Sequence, residues 1–340
     1  MNLAAFTSGL SSAGLGFWDA FASAPARAAL NRMPHAAPST LETLLSHMAF
    51  KALLPLPVIA AIAPVIYWFF RDTWKALDKE AASARIELSD NGKFDTRPVV
   101  CLVITALVLT TQEYYGGRYL FDELIGPALQ DADRGGMKFL HYERFEELYG
   151  YAWWVLARVI GYVLIPFPLW KLLYPKDSLL DMGLRLRGFL SHIWIYGLCL
   201  GVVVPAMLLV STQPDFGTYY PFYKQSSRSW FDFLSWEAMY YVQFFALELF
   251  FRGFIVGTLR KSLGSIAIFV MAVPYCMIHY GKPYLEANGA IIAGVVLGSL
   301  AAKTRSIYAG FMVHVTVAAL MDILSLWHRH ALPTQIWPFG

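Results

Sequence analysis

About eight long apolar stretches, near 50–70, 98–112, 151–173, 189–210, 233–257, 264–280, 288–302 and 306–327, constrain this chain more than any other feature. A membrane-spanning helix needs about 20 such residues, since the hydrocarbon core is about 30 Å thick and a helix rises about 1.5 Å per residue. The expected fold class is therefore all-α, a polytopic transmembrane helical bundle of about eight spans. Composition agrees: 57% of residues are hydrophobic and only 15% charged, against roughly a quarter charged in soluble domains. The sixth and seventh stretches are short, about 15 to 17 residues, and are expected to tilt or to lie partly within protein.

Charge sets the expected topology. Arg71, Lys75, Lys79, Arg85, Lys93 and Arg97 follow the first stretch, and Lys171, Lys176, Arg185 and Arg187 lie between the third and fourth. The positive-inside tendency puts both segments in the cytoplasm, with Arg260, Lys261, Lys303 and Arg305 in later inner turns. The acid-rich segment 116–149 and both termini then lie outside. A net charge of +3, spread along the chain, gives no reason to expect a nucleic-acid partner. Cys101, Cys199 and Cys276 sit in separate apolar segments and read as small core residues.

Three regions follow. Residues 1–46 read as a peripheral, amphipathic segment, 47–176 as a scaffold of about three spans, and 177–340 as the part that carries chemistry. Asp177 or Ser178 is placed to cap an amphipathic helix leading into the fourth span.

The chemistry is expected at Glu248, Arg252, His279, His314 and Asp322, ionisable residues within apolar helices, where charge is costly and usually functional. Glu248 and Arg252 are four apart on one helical face. A structural ion pair and a carboxylate oriented beside a reacting water are both open for them. His279 ends the sixth stretch and His314 lies well inside the eighth; neutral imidazole serves as a base or a metal ligand. At about 1.5 Å per residue from the inner ends, the depths of Glu248, His279, His314 and Asp322 permit one shared cavity from the middle to the outer side of the membrane. Asp322 is about 80° and 12 Å from His314 along its helix, which places it to meet His279 or Glu286 instead.

Glu248-x-x-x-Arg252-Gly253-Phe254 on one helix, Tyr275-x-x-x-His279 ending the next, and His314 in the last resemble the three motifs of the CPBP family. These are the CAAX prenyl protease and bacteriocin-processing enzymes, also called Abi proteins, glutamic-type intramembrane proteases. The resemblance covers roughly 177–327. It implies a helical intramembrane fold and peptide-bond hydrolysis in which His279 matches the water-activating histidine, His314 the oxyanion-side histidine, Glu248 the second glutamate and Arg252 its arginine. The family's first glutamate is replaced by Leu247, and the Asn or Asp of its third motif by Ala318. Either Glu248 takes over as base, or Asp322 or Glu286 enters the site, or the protein is inactive.

The expected function is an intramembrane endopeptidase acting on a membrane-associated protein or peptide, with the lipid bilayer as its other partner. Its expected location is the bacterial inner (plasma) membrane, as a multi-pass integral protein. No cofactor is expected, although zinc held by His279, His314 and a carboxylate stays open. The alternatives are a catalytically inactive CPBP-like protein that binds or matures membrane proteins, and a proton-coupled transporter using the buried Glu and His residues.

Overall fold

The computed structural model describes residues 52–53, 55–212, 216–280 and 284–339; the segment 1–46 lies outside them. The described residues are helical, with no strand and one isolated antiparallel bridge, Leu184 to Ser306. The main helices are α1 (Pro55–Asp90), α2 (Arg97–Tyr115), α3 (Gly126–Arg134), α4 (Tyr142–Leu173), α5 (Ile193–Val210), α6 (Trp230–Leu263), α7 (Ile266–Met277), α8 (Tyr284–Thr304) and α9 (Tyr308–His328). Six of them, α1, α2, α4, α6, α8 and α9, contain a stretch long and apolar enough to cross a membrane. Two further apolar stretches, Ile193–Pro205 in α5 and Ile266–Met277, are shorter.

The short members are thus the fourth and sixth, not the sixth and seventh. α8 reaches 21 residues because the helix begins at Tyr284, before its continuous apolar run. α1 likewise continues for 36 residues, so most of the basic segment expected as a loop is helix. Ala, Lys and Glu after residue 70 are good helix formers though not apolar, and hydropathy alone misses them. The expected amphipathic helix after Asp177 is instead two short pieces, Leu179–Asp181 and Leu186–Ser191. Ser178 makes no side-chain cap, and Asp177 accepts from Arg97 and from the Trp170 indole instead.

At one end of the bundle, Glu80 of α1 accepts from Arg260 at 3.2 Å and from Arg305 at 2.6 Å. Asp78, half a turn earlier, accepts the Ser265 amide at the start of α7. α1 therefore ties the turn between α6 and α7 to the turn between α8 and α9. The residues expected in inner turns lie together at this end.

α6 is the central helix, with 78% of its most apolar window buried. Its start is closed by Ser229, whose hydroxyl accepts from the Asp232 amide, and by the Gln335 and Ile336 carbonyls, which accept from the Trp230 and Phe231 amides. These bonds satisfy amides that a helix N-terminus leaves unpaired. Halfway along, Phe250, Phe251 and Phe254 form the main core with Tyr162, Trp170 and Tyr275, and Leu247 packs among them.

Candidate active site

Glu248 is the last α-helical residue of α6 before a π-helical stretch, Leu249–Val256. Such wide turns are rare and concentrate at functional sites. Within it, a side-chain carbon at Gly253 would come 2.5 Å from the Met182 carbonyl oxygen, so only glycine permits this approach of the 182–183 segment.

Arg252 Nη1 lies 3.0 Å from Glu248 Oε1, and both side chains are wholly buried. The contact is ionic, since the atoms of neither group meet hydrogen-bond angles. The guanidinium also sits 3.9 Å above the centre of the Tyr275 ring, where the negative face of the aromatic ring attracts a cation. Tyr275 is fixed edge-on against Phe251, with ring centroids 5.4 Å apart.

His314 closes the group from α9. Its Nδ1 is 3.2 Å from the Gly310 carbonyl and 3.0 Å from Glu248 Oε1, and its Nε2 is 3.1 Å from the Tyr275 hydroxyl. The ring stacks on Phe244 at 5.1 Å. Nδ1 faces two acceptors, so in the neutral ring it carries the hydrogen and Nε2 accepts from the Tyr275 O–H. His279 is oriented in the same way: Nδ1 donates to the Tyr275 carbonyl at 2.8 Å, which leaves Nε2 as the acceptor of the ring. The His279 and Tyr275 rings are 4.8 Å apart.

The structure therefore gathers Glu248, Arg252 and His314 around Tyr275, with His279 adjoining it one helical turn along. Gly310 makes the gathering possible, because a side-chain carbon there would fall on the Glu248 carboxylate. Gly310→Ala is expected to push Glu248 off Arg252 and His314 and to cost about 1–3 kcal/mol as an overpacked core does. An unfolding midpoint equal to that of the wild type would show that the carboxylate has room to spare.

Asp322 does not join this group. Its Oδ2 accepts from the Trp236 indole at 2.7 Å, and Glu237, the next residue of α6, is buried as well. This corrects the expectation that Asp322 meets His279. The rotation and rise separating Asp322 from His314 carry it to an earlier part of α6. The side chain of Glu286 is outside the described residues. Lys224, in the loop before α6, supplies positive charge facing Asp322. Burial, then Arg329, lowers the Lys224 ammonium below the ordinary lysine range.

One polar group escapes the sequence reading: Tyr275 enters it only as the aromatic of its motif, with no use made of its hydroxyl. Among the described residues, no three or more His, Cys, Asp or Glu side chains are grouped to hold a metal. Metal binding by His314 would have to break its contact with Gly310 or with Tyr275.

The fold and the buried centre together define a polytopic membrane protein with an ionic Glu–Arg–His cluster in its core. Residues 229–320 match the family described as Rce1-like, type II CAAX prenyl endopeptidase Rce1-like. This segment holds every residue of the cluster, and the match agrees with the CPBP resemblance of the three motifs. No curated protein and no solved structure matches the chain.

Proposed function

We propose that the protein is an intramembrane endopeptidase, hydrolysing a peptide bond of a membrane-associated protein or peptide. The reading rests on one observation: His279 adjoins Tyr275, whose hydroxyl meets the His314 of a Glu248–His314 pair, inside a segment similar to a family of endopeptidases. His279 Nε2 takes a proton from water as the water oxygen bonds to the carbonyl carbon, and returns it to the amine when the C–N bond breaks. Arg252 holds the Glu248 charge in place, and Glu248 holds His314 in one tautomer. In a dry core these fixed charges act more strongly than in water.

Residues 177–340 form the catalytic part in this reading and 47–176 its scaffold, in a bacterial inner membrane. Prenylated CAAX proteins are the substrate class that the family description names; nothing in the cluster selects a prenyl group. The competing reading, a non-catalytic binding protein, is favoured by Leu247, an apolar core residue where the family has its first glutamate.

The test compares protein termini in membranes of cells making the wild type, His279→Ala or Glu248→Gln at matched levels. Termini made only by the wild type are expected and would name the substrate. Identical termini from all three, with every variant folded, would favour the binding protein.

A further inference from the structure

Loss of the family's first glutamate leaves His279 as the sole acceptor so far assigned to the attacking water. A water molecule that is to present a lone pair to a carbonyl carbon must have both hydrogens held. We propose that the Tyr275 hydroxyl is the second proton-handling group, and that Glu248, His314 and Tyr275 form a carboxylate–imidazole–phenol relay that replaces the missing glutamate. This inference rests on the endopeptidase reading.

The relay follows from contacts already described. The Gly310 carbonyl fixes hydrogen on His314 Nδ1, with Glu248 Oε1 3.0 Å from the same nitrogen, so His314 Nε2 accepts from the Tyr275 hydroxyl 3.1 Å away. That is the arrangement of an activated hydroxyl: a base within reach, oriented in turn by a third group. The Arg252 guanidinium over the phenol ring stabilises negative charge as it builds on the Tyr275 oxygen. Tyr275 and His279 are four residues apart at the end of one helix, with ring centroids 4.8 Å apart, and the proposed relay places one water between the two side chains.

The protons balance. His279 Nε2 takes one hydrogen of the water as the new C–O bond forms, and the other stays hydrogen-bonded to the Tyr275 oxygen. When the C–N bond breaks, the proton on His279 goes to the departing amine. The remaining hydroxyl proton passes to the Tyr275 oxygen as the Tyr275 proton passes to His314 Nε2. The acid product then leaves as carboxylate beside an imidazolium paired with Glu248, which later returns its proton to solvent. No oxidant, metal or further reactant is needed.

Tyr275→Phe removes the hydroxyl while keeping the ring that Arg252 and Phe251 pack against. The assay uses full-length protein in lipid nanodiscs and a synthetic peptide spanning a junction identified from wild-type cells. Tyr275→Phe is expected to lower kcat by about 10²-fold or more with KM and thermal midpoint unchanged. 3-Fluorotyrosine at position 275 fills the same space but is a stronger acid than tyrosine, and is expected to shift the pH–rate profile. Full kcat in Tyr275→Phe while His279→Ala is inactive would overturn the relay alone. An unshifted profile with fluorotyrosine would do the same if the phenylalanine variant does not fold. Absence of any cleaved junction in wild-type cells would overturn the relay and the endopeptidase reading together.

Discussion

Arg252→Ala is expected to destabilise the folded protein by about 3–5 kcal/mol, the cost of removing one partner from a buried ion pair. The effect is large because the loss is one-sided. Glu248 is wholly buried, and among the described residues Arg252 is the one full positive charge paired with it when His314 is neutral. The variant strands a carboxylate in the core and also removes the cation from the Tyr275 face. Glu248→Leu combined with Arg252→Met removes both charges at similar volume and is expected to recover most of the stability, since an apolar replacement of a buried pair is often neutral or better. Neither variant should hydrolyse substrate. The check is denaturant unfolding of the purified protein in detergent, and a cost under about 1 kcal/mol for Arg252→Ala would mean that the pair is far more hydrated than its burial indicates.

Trp236→Ala is expected to cost a comparable 3–5 kcal/mol, the usual range for removing a large buried aromatic side chain. Trp236 is fully buried, stacks on Tyr240 at 4.7 Å, meets Tyr151 at the same distance and donates to Asp322. Trp236→Phe separates packing from polarity, since it keeps most of the ring but removes the indole N–H. It is expected to cost about 1–3 kcal/mol through the lost bond to a buried carboxyl. If Phe were as costly as Ala, the hydrogen bond would dominate; if Phe were free, Asp322 would need no donor from α6. The same unfolding measurement distinguishes these results.

Much of the fold was legible because the bilayer limits what apolar segments can do. The apolar stretches locate the eight apolar helices of the described residues, but not their ends: the helix of α1 continues through polar residues that form helix well, and α8 starts ahead of its apolar run. Within the site, the pairing of Glu248 with Arg252 is local, four residues apart, and could be read directly. Its contact with His314 crosses between helices and depends on Gly310 leaving room, which no spacing rule supplies. Asp322 was misdirected for the same reason. Its depth and rotation were estimated along its own helix, whereas its partner, Trp236, lies at the far end of α6. Tyr275 was visible as an aromatic residue, but its role depends on which nitrogen of His314 faces it.

Glu80 belongs to the sequence before residue 176, and the two arginines it binds, Arg260 and Arg305, belong to the sequence after it. The boundary drawn there divides the chain by content and not by cooperativity. Severed from α1, the second part would keep two guanidinium groups at its helix turns without their shared counter-ion, and the α7 start would lose the acceptor that Asp78 provides. The unit able to move intact between proteins, or to be transplanted in a fusion, is therefore larger than the segment that holds the Glu–Arg–His cluster.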